Sequence, residues 1–78
     1  MVREWIIDWF NENKKTENEI DCNSNYIDSE IIDSIAFVTL IADCEDQFEI
    51  AFDDADFEGQ EMFTVNGLIS LIERKLGN

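Results

Sequence analysis

Few residues in this 78-residue sequence could carry chemistry, because it has no histidine and only two cysteines. Asp33 and Ser34 form an Asp-Ser pair directly before an apolar segment with helical spacing. Aspartate is a good residue for capping the first turn of a helix, so the pair predicts a helix start with a serine at its tip. Without a histidine base, Ser34 cannot belong to a Ser-His-Asp triad. Taken alone, the pair is most simply a helix cap.

An acidic segment from Asp54 to Val65 nearly matches a calcium-binding loop. Positions one, three, five and six of the EF-hand pattern are occupied by Asp54, Asp56, Glu58 and Gly59. The pattern requires a bidentate glutamate at position twelve, and Val65 stands there instead. A solvated acidic loop is therefore the preferred interpretation, and we expect no metal site here.

The two cysteines and the many carboxylates do not indicate an enzyme either. Cys22 and Cys44 lack the CxxC spacing and the histidine partners of a structural zinc site. Paired-carboxylate hydrolysis needs two carboxyl groups facing each other across a substrate cleft. A chain of this length offers no obvious cleft. We therefore expect no catalytic residues and no metal ligands.

The composition predicts one small folded domain, residues 1–78, with a strongly negative surface. Nineteen acidic residues against five basic ones give a formal net charge of −14, while 45% of the residues are hydrophobic. Such a protein should be repelled by nucleic acid and by anionic membranes and should suit partners with basic patches. Self-repulsion favours a monomer. No transmembrane-length apolar run or signal-peptide pattern is visible, so we expect a cytoplasmic protein with reduced thiols.

Hydrophobic periodicity predicts an all-α bundle of three longer helices and one short one. Residues 2–13 form the first helix, and a long loop over 16–33 follows, held to the core by apolar residues spaced along it: Ile20, Tyr26, Ile27, Ile31 and Ile32. A second helix should begin after Asp33 and bury the stripe Phe37, Leu40, Ile41, Cys44 and Phe48.

The rest of the chain predicts a short helix around 53–57 and a final helix capped by Thr64. The buried stripe of this last helix is Val65, Leu68, Ile69, Ile72 and Leu76. Gly67 lies inside the helix, where glycine costs about 1 kcal/mol relative to alanine. Arg74 and Lys75 suit the last turn, and Gly77 follows as a stop signal.

The exposed side of the second helix is unusual for a helix that meets only water. Small apolar residues stand beside a row of carboxylates, with no lysine placed to pair with them. These residues are Val38, Ala42, Asp43, Glu45, Asp46 and Glu49. The combination favours a contact surface for a basic partner.

The segment from Ile27 to Ile35 resembles the acyl carrier protein pattern, in which an apolar pair, Asp-Ser and a further apolar residue open a helix. Phe48-Glu49-Ile50 and Phe63-Thr64-Val65 resemble the family's end of the second helix and start of the last. The likeness covers almost the whole chain, including the helix order, the long first loop and the acidic second helix.

This resemblance implies a carrier protein rather than an enzyme. Ser34 would bear a 4′-phosphopantetheine arm, attached from coenzyme A by a phosphopantetheinyl transferase using magnesium. Asp33 would cap the helix and help the transferase to orient its magnesium and the serine. The arm would carry acyl or aminoacyl groups as thioesters between a loading ligase and downstream synthases or transferases of fatty acid, polyketide or related biosynthesis. The docking surface would comprise Ile35, Val38, Ala42, Asp43, Glu45, Asp46 and Glu49.

Two departures from the family pattern leave the cargo open. The family often has glycine two or three residues before the Asp-Ser pair, where this chain has Ile31 and Glu30. The residue after the serine is Ile35 rather than the commoner leucine. Both features look more like specialised, D-alanyl or aminoacyl carriers. The alternatives from other classes are an acidic calcium-binding module and an acidic protein-interaction module without a prosthetic group.

Overall fold

Three α-helices and two short 3-10 turns form the regular structure in a computed structural model that describes residues 2–77. The helices are α1 (Val2–Asn13), α2 (Ser34–Phe48) and α3 (Val65–Lys75), and the 3-10 turns are Asp54–Phe57 and Glu61–Phe63. Met1 and Asn78, the ends of the predicted domain, lie outside the described residues. The predicted all-α class is confirmed. No helix within 2–77 is long and apolar enough to cross a membrane.

The core is built mainly from the apolar faces of α1 and α3. The residues of these two faces with the least exposure are Ile6, Phe10, Val65, Leu68, Ile69 and Ile72. In the predicted stripe of α2, Leu40 and Cys44 are buried, and Phe37, Ile41 and Phe48 are partly buried against the core. Leu71 is also buried, although it lies outside the predicted stripe. The prediction that Leu76 is buried is wrong, because its side chain is 41% exposed. Because α3 ends at Lys75, the backbone at Leu76 no longer follows the helix, and its side chain does not continue the buried stripe.

Tyr26 holds the long loop between α1 and α2 against the rest of the molecule, as the apolar spacing predicted. Its side chain is fully buried, and its hydroxyl donates a hydrogen bond to the carbonyl of Met62 at 2.6 Å. Its backbone N–H donates to the carbonyl of Phe63 at 3.0 Å, and its ring contacts Phe10 and Phe37. Burial raises the pKa of the Tyr26 phenol. The loop therefore has a fixed path toward the start of α2.

The acidic segment between α2 and α3 is ordered by ion pairs with the end of α3. Asp53 caps the first 3-10 turn, confirming the predicted short helix, while the second 3-10 turn was not predicted. Lys75 Nζ lies 2.8 Å from Asp56 Oδ2, and Arg74 pairs with Glu61. The hydrogen bond from Lys75 lowers the pKa of Asp56. Within the part of the chain described, no three potential metal ligands are gathered together.

Cys44 lies in the core, and its burial predicts that the protein loses stability at alkaline pH. Burial, together with the charges of Asp43 and Glu45, raises the pKa of its thiol to about 12. Above the ordinary thiol value the unfolded chain loses a proton that the folded chain keeps, so the free energy of unfolding falls as pH rises. We expect a loss of about 1 kcal/mol per pH unit from this group between about pH 9 and about pH 12.

Urea unfolding at pH 8 and pH 10 measures this effect. Cys44→Ala should remove much of the pH dependence, although the variant loses some packing at every pH. Cys22→Ala is the matched control and should keep the wild-type dependence, because it removes a cysteine but leaves Cys44 in place. Equal pH dependence in wild type and Cys44→Ala would contradict the prediction.

Candidate functional site

The start of α2 has the geometry that the Asp-Ser pair predicted. Asp33 is extended (φ −98°, ψ 178°), and its Oδ1 accepts a hydrogen bond from the backbone N–H of Ala36 at 2.8 Å. Ser34 is the first residue of the helix and is exposed. Its hydroxyl makes no hydrogen bond with any residue between 2 and 77. Because Asp33 caps the helix, the hydroxyl of Ser34 is not used as a cap.

Hydrogen bonds within the long loop fix the backbone that leads into α2. The N–H groups of Ile31 and Ile32 both donate to the carbonyl of Tyr26, at 3.0 and 3.2 Å, and both side chains are buried. Glu30, immediately before them, has φ 59°, in the left-handed region that favours glycine. It occupies one of the positions where the resembled family often has glycine. The tight turn is thus kept here by a non-glycine residue, at a cost of about 1 kcal/mol.

The predicted docking residues fall into two groups in the structure. Four lie on the solvent side of α2, and the exposed Glu49 follows at its C-cap. Together they form what we term the docking face: Ile35, Val38, Ala42, Asp46 and Glu49. Ile35 is 78% and Val38 is 68% exposed, although both are large apolar residues close to Ser34. An exposed apolar pair beside carboxylates matches the pattern of a contact surface with an apolar centre and a charged rim.

Asp43 and Glu45 lie at the flanks of this face and are engaged within the molecule. The indole N–H of Trp9 donates to Asp43 Oδ2 at 2.8 Å, which joins α1 to α2. The backbone N–H of Phe52 donates to Glu45 Oε2 at 2.8 Å, which holds the chain that leaves α2. Both carboxylates are half-buried. Helical spacing alone could not reveal these bonds, because both donors lie outside α2.

Nothing in the sequence indicates that Lys15 lies near the site. Lys15 Nζ lies 4.0 Å from Asp33 Oδ2, although eighteen positions separate the two residues. The backbone N–H of Lys15 donates to the carbonyl of Ile31 at 2.7 Å, which brings the end of α1 next to the start of α2. A positive charge therefore lies beside Asp33, the residue that precedes Ser34.

The geometry fits a phosphate ester on Ser34. The N–H groups of Ser34 and Ile35, at the amino end of α2, have no hydrogen-bond acceptor among residues 2–77. Free N–H groups and the helix dipole favour negative charge at such a position. Two surface grooves of about 240 and 220 Å³ lie along α1, and neither includes Ser34 or the docking face. Ser34 itself is an exposed side chain at the first residue of α2.

The family model described as "Phosphopantetheine attachment site" matches residues 4–72 of this small helical bundle. The chain is 38% identical over 61 residues to an acyl carrier protein of Thermotoga maritima, covering 78% of this chain and 73% of that protein. No solved structure matches the chain. The chain belongs to the acyl carrier protein family.

Membership of this family fixes the class of chemistry. Its members bind 4′-phosphopantetheine covalently and are not enzymes themselves; they carry the arm for other enzymes. The cofactor supplies the reactive thiol, and the protein supplies its presentation to partners.

Proposed function

We propose that this chain carries acyl or aminoacyl groups as thioesters on a phosphopantetheine arm at Ser34 and delivers them to partner enzymes. The observation that carries the proposal is the exposed Ser34 hydroxyl, unbonded within 2–77, at the first residue of a helix capped by Asp33. The relative from Thermotoga maritima is named an acyl carrier protein, which supports acyl cargo, and fatty acid biosynthesis is the first pathway to test.

Loading at this position is a transfer in which Ser34 Oγ is the acceptor. A new bond forms between Oγ and the phosphorus of coenzyme A that bears the pantetheine. The pyrophosphate bond breaks, 3′,5′-ADP leaves, and the hydroxyl proton is released to a base on the transferase. In the proposed role, Asp33 is recognised by the transferase and its magnesium, while its other oxygen keeps the helix capped.

The experiment is intact mass measurement after incubation with coenzyme A, magnesium and a broad-specificity phosphopantetheinyl transferase. We expect the addition of one phosphopantetheine, located at Ser34 by peptide mapping. Addition at another residue, or no addition to a folded sample by several transferases, would contradict the proposal. In that case an acidic protein-interaction module would be the better description.

The docking face is the proposed contact for the transferase and the later partners. Its carboxylates Asp46 and Glu49 are exposed, and no lysine or arginine follows Lys15 in the sequence until Arg74. A face of one charge raises the rate of encounter with a basic patch and keeps the contact sensitive to salt. Short-lived binding of this kind suits a carrier that must leave each partner.

Reversing these two charges tests the docking face. The double variant Asp46→Lys/Glu49→Lys should lower kcat/KM for loading by about tenfold at low ionic strength, and the loss should shrink at high salt. Reversal of Glu45 is less suitable, because its carboxylate accepts the hydrogen bond from Phe52.

The control changes the net charge of the chain equally at another place. Glu12→Lys/Glu73→Lys alters two exposed carboxylates, one on α1 and one on α3, and should leave kcat/KM close to wild type. An equal loss in both double variants would show that net charge, and not the docking face, governs the encounter.

A further inference from the structure

Positive charges are scarce in this chain, and four of the five basic side chains are hydrogen-bonded elsewhere. These contacts join Arg3 to Asn66, Lys14 to the carbonyl of Asn18, Arg74 to Glu61 and Lys75 to Asp56. Lys15 is different, because its Nζ makes no hydrogen bond with any residue in the described range 2–77. It lies 4.0 Å from Asp33 Oδ2, at the outer limit of an ion pair.

The position of Lys15 is set by the backbone. Its N–H donates to the carbonyl of Ile31 at 2.7 Å, and the carbonyl of Tyr26 accepts from the N–H of Ile31 in turn. The base of the lysine side chain is thus fixed beside the segment that leads to Ser34. The side chain itself is 56% exposed, so its flexible stem can turn without disturbing the core.

The charges around Ser34 change when an arm is attached. Asp33 Oδ1 is engaged by the N–H of Ala36, and Oδ2 is the oxygen that faces Lys15. A phosphodiester on Ser34 adds a second negative charge next to Asp33 in a chain whose formal net charge is already −14. A lysine ammonium is a compact charge that pairs well with phosphate oxygens.

We propose that Lys15 is a positioning residue for the prosthetic group, pairing with the phosphodiester on Ser34 once the arm is attached. Before loading, Lys15 balances the charge of Asp33. After loading, it turns toward the phosphate and restricts the directions in which the arm leaves the helix start. This inference rests on the proposed attachment at Ser34.

The experiment compares the apo and holo forms by NMR after reductive ¹³C-methylation, which labels lysines and keeps their charge. The sequence has three lysines, Lys14, Lys15 and Lys75, so their signals can be assigned with single Lys→Gln variants. At low salt, loading should move the Lys15 signal by more than its linewidth and leave Lys14 and Lys75 in place. The change should shrink in 1 M NaCl, because salt screens exposed charges.

The ³¹P signal of the holo protein provides a second readout that does not depend on labelling. Lys15→Gln should shift the phosphodiester signal, and Lys15→Arg should restore it toward the wild-type position. Lys14→Gln is the matched control, because Lys14 is the neighbouring residue and its Nζ bonds to the carbonyl of Asn18. Its phosphodiester signal should coincide with that of wild type.

The outcomes separate this inference from the proposed function. If mass measurement shows the arm on Ser34 but the Lys15 signal does not move, the positioning role is overturned and the attachment stands. An equal ³¹P shift in Lys14→Gln and Lys15→Gln overturns it as well. If no arm is attached to Ser34, both proposals fail.

Discussion

Replacing Ser34 by alanine is expected to abolish attachment of phosphopantetheine, so that no mass is gained with coenzyme A, magnesium and transferase. The hydroxyl oxygen is the atom that forms the ester, and alanine has none. The fold should be retained, since the helix start is capped by Asp33 and the Ser34 side chain is exposed. Intact mass measures loading, and thermal unfolding by circular dichroism measures the fold.

Ser29→Ala is the matched control for this experiment. Ser29 is also exposed and lies in the loop just before the site, but it does not begin a helix. It should load as fully as wild type. Loading of Ser34→Ala at any other position would disprove the assignment, whereas an unfolded Ser34→Ala would show that the serine has a structural role that its exposure does not indicate.

Gly67→Ala is expected to destabilise the protein, although helix propensity alone predicts the opposite. A Cβ at this position would lie 2.1 Å from the carbonyl oxygen of Glu61 and 2.7 Å from Thr64 Oγ1. The first contact is with backbone, so relief requires the second 3-10 turn to move away from α3. Overpacking of this kind costs about 1–3 kcal/mol, and this close contact belongs at the upper end.

Alanine gains about 1 kcal/mol over glycine inside a helix, so the expected net loss is about 2 kcal/mol. Urea unfolding of the purified variant measures it. Gly59→Ala is the control, because a Cβ at Gly59 meets no atom within 4 Å, and its stability should change by less than about 1 kcal/mol. A Gly67→Ala protein more stable than wild type would show that helix propensity outweighs the contact with Glu61.

The helices were predictable because the signals for them are local. A helix buries residues three and four positions apart, and the caps Asp33 and Thr64 bond to N–H groups within their own first turns. The two segments around 16–33 and 50–63 were less defined. They contain no repeating spacing, so Tyr26 could be assigned to the core while its partner Met62 could not be named.

The candidate site was likewise predictable only in part. The Asp-Ser pair, the helix that it opens and the apolar and acidic residues after it all follow from adjacent positions in the sequence. The roles of Asp43 and Glu45 do not, because the donors Trp9 and Phe52 lie on other segments. Helical spacing places both carboxylates near the surface, and only packing shows that they are already bonded.

By itself, the sequence determined the helical class, the serine at a helix start and the negative charge of the chain. These properties depend on residue types and on contacts between near neighbours. Only the tertiary structure decided that Lys15 lies beside Asp33, that Glu30 takes a left-handed turn and that Gly67 has no room for a side chain. The first depends on where segments distant in the chain meet, and the other two depend on the backbone course of turns that have no repeating sequence pattern.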